Sequence, residues 1–502
     1  MAQSKLAMAS SKAEMEKIRK ILAEFSGVNF SVDQGVARHE DPPNKISLPQ
    51  DMSLRQAHAA LGDLAIAAEQ TETYIHRFKF RHEDGAYAVT EVMRKYFGSQ
   101  GRGIPEKTFF GEIPPQKISV PVSPNPDEDV TVPWGQIQFA AIEGVLELGV
   151  YRDPEFGVLF MISATCPQRM IPLAKSFCKM VEAELKEFSI YKGKAIYIAQ
   201  DPQNAVGTAI RFMEIGDPNP TIVYNPDVEG ALQTEVWGPL AHRELLKSDG
   251  RKVNTRTLMH GPYGTGKSEA GLRTAQVAVE NQTTFFNFNS GKSTLDDLEQ
   301  TVAMARLYSP SVVFVEDVDV YASKEDQSFQ TRLSNLFDGV GSKGDEVMIV
   351  MTSNHAATFS KAMLRAGRID ALIEVGSLDK DATQTLIERV IGVERLDKDL
   401  DFDIIWEAME GFEPAFVRQT FDKAAKSALL RSGSRDYVLN TEDFVNAATL
   451  MRPQHDLHAQ KSEVKRISHF DTAVVEAVSK VLNSASWDGD EFFVPSAESI
   501  LS

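Results

Sequence analysis

Eight residues, Gly261-Pro262-Tyr263-Gly264-Thr265-Gly266-Lys267-Ser268, constrain the fold of this chain more than any other stretch. They fit the pattern G-x-x-x-x-G-K-[ST], in which glycines let the backbone turn tightly enough for several N–H groups to face one phosphate. The pattern needs a strand before it and a helix after it. Thr257, Leu258, Met259 and His260 read as the strand, and residues 269–279 as the helix. The helix N-terminus adds partial positive charge at the same place. In that setting Lys267 is expected to reach the β- and γ-phosphates of a nucleotide such as ATP, and Ser268 to hold Mg2+. A glycine-rich surface turn would account for the spacing, but not for the flanks or for the motifs downstream.

Downstream of the loop, apolar strands alternate with helices. Residues 283–289 read as a strand and 295–307 as a helix. Ser311-Val312-Val313-Phe314-Val315 is a buried parallel-type strand that ends in Glu316-Asp317-Val318-Asp319. An apolar strand ending in acids supplies one carboxylate for the metal side and one to activate water. Residues 347–351 form another strand, ending in Thr352-Ser353-Asn354, where an amide can orient the attacking water. Leu364-Arg365-Ala366-Gly367-Arg368-Ile369-Asp370 then sets two arginines around a glycine turn. Taken alone, such a pair also suits a surface salt bridge. Residues 379–452 read as helical throughout, with one helix opened by Gly411-Phe412-Glu413-Pro414-Ala415 and the last capped by Thr441-Glu442-Asp443-Phe444.

Composition limits the rest. A chain of 502 residues suggests two to four domains with ample core. A net charge of −18 argues against nucleic acid or anionic membrane as the main partner, although a local basic groove remains compatible with it. The two cysteines, Cys166 and Cys178, form no metal-binding pattern and fit a reduced cytoplasm. No apolar run is long enough to span a membrane, and the Lys/Glu-rich start lacks an apolar signal core.

Upstream of the nucleotide module the reading is coarser. Residues 1–45 are expected to hold an amphipathic helix, with Met15, Ile18, Ile21, Leu22 and Phe25 on one face, and a Pro/Asp-rich linker. Residues 46–218 read as an α+β domain: a capping box at Ser53-Leu54-Arg55-Gln56, a helix from Asp84-Gly85 toward Gly98, strands near 118–122, 136–148 and 158–163. A helix with Leu173, Phe177, Val181, Leu185 and Phe188 inward and a strand at 194–199 complete it. No catalytic constellation is visible in this region, and Trp134 reads as core. Residues 219–255 wrap toward the nucleotide module. Residues 453–502 form a polar tail, helix-like over 471–482 and acidic-aromatic at Glu491-Phe492-Phe493-Val494.

Together these motifs resemble the AAA family of ATPases over about residues 230–452. Pro239-Leu240 with His242-Arg243-Glu244-Leu245, the phosphate loop, Leu336-Phe337-Asp338-Gly339, Thr352-Ser353-Asn354, the paired arginines and Thr441 to Phe444 occur in family order and spacing. The fold implied is α/β: a three-layer phosphate-loop NTPase module with a C-terminal helical lid, preceded by an α+β N-terminal domain. The divisions expected are 1–45, 46–218, 219–378 for the large subdomain, 379–452 for the lid and 453–502 for the tail. The resemblance implies a homo-oligomeric, hexameric ring with ATP and Mg2+ at subunit interfaces. Gly261, Pro262, Tyr263, Gly264, Thr265, Gly266, Lys267, Ser268 and Glu269 would bind nucleotide, with Pro414 and Ala415 on the adenine side. Ser268 and Glu316 would lie on the metal, Asp317 would activate water, Asn354 would be sensor 1, and Arg365 and Arg368 would reach into the neighbour's site.

The chain departs from the family pattern in four places. Tyr263 replaces the usual second proline of the loop. The acids at 316 and 317 run Glu-Asp where the family usually has Asp-Glu. Only Asn289-Ser290-Gly291-Lys292-Ser293 stands where unfoldases carry an aromatic-apolar-Gly pore loop, and Arg418 lies two positions past the usual sensor 2 site. The leading functional expectation is an ATP-driven machine that remodels a protein client recruited by residues 46–218. The alternatives are an ATPase attached to nucleic-acid work, such as a loader or recombination accessory, and a slow nucleotide-switched scaffold.

Overall fold

The computed structural model describes residues 69–98, 101–108, 111–200, 208–216, 222–291, 293–322, 346–355 and 368–458, with residues 55, 56, 59, 332, 333 and 336 and a hairpin at 486–488 and 491–493. The helices expected at 15–25 and 471–482, Arg365, and Phe337, Asp338 and Gly339 lie outside the described residues. The chain divides into two compact units, one of residues 1–218, 231–259 and 270–373, the other of 219–230, 260–269 and 374–502.

The first unit begins with a five-stranded antiparallel sheet in the order Thr71–Arg77, Gly157–Pro167, Ile142–Asp153, Gly135–Phe139, Arg102–Gly103. The expected strand over 136–148 is two strands, because the chain turns at Ala140-Ala141 and pairs back on itself. Ile142, Leu146 and Leu148 alternate inward along the long strand, as the two-residue period of a half-buried strand requires. Helices His82–Phe97 and Ile171–Phe188 cover the buried face. The first lies close: a Cβ on Gly85 would stand 2.2 Å from the Phe160 ring. Phe177, Val181 and Leu185 point inward as expected, whereas Phe188, in the last turn, is 56% exposed with the Lys95 ammonium 4.7 Å over its ring.

The same unit contains a seven-stranded sheet in the order Thr208–Phe212, Ala195–Gln200, Thr284–Asn289, Ser311–Glu316, Val347–Ser353, Arg256–His260, Ala371–Glu374. Its three central pairings, from Ala195–Gln200 to Val347–Ser353, are parallel. Phe285, Phe286 and Phe314 are buried to 1% exposure or less. Each contributes about 2–3 kcal/mol of burial. The helix Lys267–Glu280 approaches this sheet through Gly271, where a Cβ would stand 2.5 Å from the Phe314 ring. Helix Leu295–Leu307 starts on a capping box between Thr294 and Asp297.

The sequence places the strand at 194–199 in the N-terminal domain, and the structure corrects this. It pairs in parallel with Thr284–Asn289 and antiparallel with Thr208–Phe212, so both upstream strands complete the nucleotide module's sheet. A border at 218 therefore falls after the sheet has already begun. The two sheets also share one core. Tyr308, at the end of Leu295–Leu307, packs edge-on to Phe80 and Tyr191 and accepts a 3.2 Å hydrogen bond from the Arg81 N–H. Beside it Asp84 is fully buried, accepting from Ser189 Oγ at 2.6 Å and the Ile190 N–H at 3.1 Å. Burial outweighs these hydrogen bonds and pushes its carboxyl up to about 7.

The second unit joins the helical lid to residues 219–230 and to the phosphate loop at 260–269. Helices Lys380–Ile391, Phe402–Met409, Pro414–Ser432 and a last helix over 441–458 enclose Leu386, Ile387, Ile405, Met409, Phe421 and Phe444. Asp379 and Asp401 cap two of them with their side chains. Each cap is worth about 1 kcal/mol. Residues 222–225 strap this unit: Asn225 Nδ2 donates to Ser377 O at 3.0 Å, and the Asp379 N–H donates to Asn225 Oδ1 at 2.8 Å.

Candidate functional site

The phosphate loop leaves the strand Arg256–His260 and ends as helix Lys267–Glu280 begins. Gly264 and Gly266 take φ of +81° and +96°, a region that costs L-residues about 1–2 kcal/mol. Gly261 is held by close approach instead: a Cβ there would stand 2.0 Å from the Val375 carbonyl oxygen. Thr265 is buried and its hydroxyl donates to Pro262 O at 3.0 Å, which closes the loop on itself. Lys267 is 6% exposed, and its ammonium donates to the carbonyls of Gly261 at 2.8 Å and Pro262 at 2.7 Å. The cation therefore lies inside the loop's curve. Pro262 and Ser268 are exposed, Glu269 is half-buried, and Tyr263, at the position of the missing proline, is 45% exposed.

Two elements of the same unit hold this loop from outside. The Tyr224 hydroxyl, buried at 6% exposure, donates to Gly266 O at 2.9 Å. The Ala415 N–H donates to Gly264 O at 3.0 Å, and a Cβ on Gly264 would stand 2.9 Å from that of Ala415. Pro414, at the first helical position, has no N–H to satisfy, so the first free donor of the helix serves the loop. Ala415 thus meets the phosphate loop itself. Arg418, one turn on, is half-buried. Tyr224 could not be found from sequence, since nothing marks a tyrosine 37 residues upstream as a partner of the loop.

The acidic strand end lies in the first unit. Glu316 closes the strand Ser311–Glu316, and Asp317 comes next at φ +51°, uncommon for a residue other than glycine. Strain of this kind costs on the order of 1–3 kcal/mol and persists only where surroundings fix it. Here the Asp317 N–H donates to Thr352 Oγ1 at 2.9 Å, and the Val318 N–H to Thr352 O at 2.9 Å. Asn354 Nδ2 donates to Asp317 Oδ1 at 2.8 Å, while its N–H donates to Asp319 Oδ1 at 3.2 Å. On the other side Asn289 stands in register with Glu316 and donates from Nδ2 to Glu316 Oε2 at 3.3 Å. Each acid is thus held by an amide from a neighbouring strand. The sequence names Asn289 only at the head of the short pore-loop stretch and not as a partner of the acids. Its only signal for that partnership is a polar residue ending an apolar strand.

Arg368 is half-buried, in a turn that ends at Asp370. Asp370 is fixed to the sheet: its Oδ2 accepts from the Arg256 N–H at 2.9 Å, and its own N–H donates to Arg256 O at 2.8 Å. Among the described residues no group of three or more His, Cys, Asp or Glu could hold a metal by itself. The donors expected on Mg2+, one hydroxyl and one carboxylate, fit an ion that phosphate oxygens and water help to coordinate. The left-handed glycines, the loop-enclosed ammonium and the adjacent helix N-terminus fit a nucleotide phosphate chain. No helix among the described residues is long and apolar enough to cross a membrane.

Residues 257–377 match the profile of the ATPase family associated with various cellular activities (AAA). The chain is similar to a proteasome-activating nucleotidase of Methanocaldococcus jannaschii, 26% identical over 307 residues, covering 57% of this chain and 65% of the relative. It is similar to a cell division cycle protein 48 homolog of Archaeoglobus fulgidus, 24% identical over 379 residues, covering 70% and 47%. A peroxisomal ATPase PEX6 of Candida glabrata is 29% identical over 227 residues, covering 41% and 21%. The chain spans less than two thirds of the length of each of these relatives.

Proposed function

Since residues 257–377 form an AAA-family module, we propose that this chain hydrolyses ATP and uses the energy, as a homo-oligomeric ring, to remodel a protein client. The observation that carries the reading is the presence of two prepared features. One is a glycine loop closed around Lys267. The other is a strand end whose acids are each oriented by an amide. ATP and Mg2+ supply the reactive anhydride and its charge neutralisation when bound. Lys267 and the loop N–H groups bind the phosphates, and Ser268 and Glu316 serve the metal. Asp317 accepts a proton from the attacking water, and Asn354 fixes that carboxylate's orientation.

One relative is named for activating the proteasome, which favours a protein client. The net charge of −18 weighs against nucleic acid. Arg365 and Arg368 are assigned to a neighbour's site in a six-membered ring. The anchoring of Asp370 supports a fixed geometry for Arg368. A slower, switch-like ATPase is the second reading. It is favoured by the shorter Asp317 side chain, already engaged by Asn354. ATPase rates measured alone, then with DNA, RNA and a loosely folded protein, test both. Stimulation by the protein alone supports remodelling, stimulation by nucleic acid overturns it, and a slow rate indifferent to all three supports the switch.

A further inference from the structure

The last lid helix, over 441–458, carries a histidine that the nucleotide chemistry does not use. His455 is 9% exposed, and the polar atoms recorded against its ring nitrogens are acceptors. Nε2 stands 3.2 Å from Gly411 O and 3.3 Å from Glu413 Oε2, and Nδ1 stands 3.2 Å from Asp456 Oδ1. Phe412 and Phe416 flank it at 4.8 and 5.2 Å between ring centres, and His458 reaches Phe416 at 5.6 Å. One turn earlier on the same face, Arg452 lies 4.3 Å over the Phe412 ring and donates to Ala408 O at 2.5 Å and Glu410 O at 3.0 Å. Two side chains on one face, Arg452 and His455, therefore fix residues 408–413, the turn that leads into helix Pro414–Ser432.

Glu413 is the N-cap of that helix, yet its side chain makes no capping bond. Its carboxylate is buried, with Oε2 turned toward His455. Its backbone carbonyl accepts from the N–H groups of Phe416 and Val417, and the next free donor, Ala415, holds Gly264 of the phosphate loop. A short path thus runs from His455 through Glu413 and Ala415 to the loop. We propose that His455 is a positioning residue for nucleotide binding: by engaging Glu413 it seats the first turn of helix Pro414–Ser432 against the phosphate loop. This rests on the loop binding ATP.

The test uses the full chain and a fluorescent ATP analogue, with dissociation constants and steady-state kinetics compared between variants. His455→Leu should weaken nucleotide affinity about tenfold, since it removes both the hydrogen bond to Gly411 O and the 3.3 Å contact with Glu413 Oε2. A larger share of the loss should fall on KM than on kcat. His455→Gln, which keeps a donor near the Nε2 position, should recover affinity to within about threefold. Glu413→Ala should lower affinity in the same direction, and adding it to His455→Leu should cost less than the sum of the two, because they share one contact. Additive losses, equal affinity in all folded variants, or failure of His455→Gln to recover would each overturn the proposal. Should His455→Leu fail to fold, Glu413→Ala and His455→Gln decide it alone. A wild-type chain that binds no nucleotide overturns the ATPase reading and this inference with it.

Discussion

Replacing Asp84 by asparagine should change how stability depends on pH. Asp84 is completely buried, and its carboxyl is pushed from the ordinary 3.8 up to about 7 by burial, against the opposing hydrogen bonds from Ser189, Ile190 and Tyr308. A carboxyl raised in the folded state keeps its proton there while the unfolded chain has lost it. Between about pH 4 and 7 the folded state therefore binds more protons, and stability falls as pH rises through that window, levelling off above it. At about 1.36 kcal/mol per unit, the loss is of order 4 kcal/mol. For a unit of about 350 residues that is roughly 5 °C in Tm. Asparagine keeps the shape and carries no charge, so Asp84→Asn should remove this dependence. The assay is thermal unfolding by circular dichroism from about pH 4 to 8.5 for both proteins. The variant should gain on the wild type as pH rises. A Tm difference that does not change with pH would refute a raised, buried carboxyl at the junction of the two sheets.

The site and the fold carry three further expected outcomes. Lys267→Ala should weaken ATP binding at least ~100-fold without unfolding the chain, as read by calorimetry and circular dichroism; normal affinity would remove the phosphate-loop assignment. Asp317→Asn should bind ATP yet turn over roughly 10²–10⁴-fold more slowly, whereas Glu316→Gln should mainly raise the Mg2+ requirement; reversed phenotypes would exchange the two roles. A fragment of residues 69–218 should lack a cooperative melt, because Ala195–Gln200 would lose its pairing with Thr284–Asn289 and Phe80 and Tyr191 would lose Tyr308; a sharp transition in the fragment would restore an independent N-terminal domain.

Much of the nucleotide module is legible in the sequence because its signals are local. A glycine loop between a strand and a helix, and apolar runs ending in acids, declare themselves within a few residues. The placement of Ala195–Gln200 is not legible, since an alternating strand carries no mark of its partner, here some 90 residues downstream. The same holds for Tyr224 on Gly266 and Asn289 on Glu316, contacts fixed by register and packing rather than by spacing. Helical periodicity assigns Phe188 to the core correctly by angle. It fails because the last turn of Ile171–Phe188 extends past the layer it covers, leaving Lys95 to shield the ring. The buried Asp84 cluster is hidden for a related reason: its members come from residues 81–84, 189–191 and 308, which only the shared core brings together.

The claim that this chain is a ring ATPase with shared sites is tested most directly by mixing two inactive variants. Lys267→Ala removes the phosphate charge partner, and Arg368→Ala removes a cation expected to serve the neighbouring subunit, worth roughly 10³–10⁵ in rate. Arg368→Ala should still bind ATP within a few-fold, since such a cation acts mainly on transition-state charge. Some interfaces of a mixed ring pair an intact phosphate loop with an intact Arg368. ATPase activity should therefore partly return on mixing and rise with total protein concentration until rings are complete. Confirmed co-assembly with no recovery of activity would contradict it.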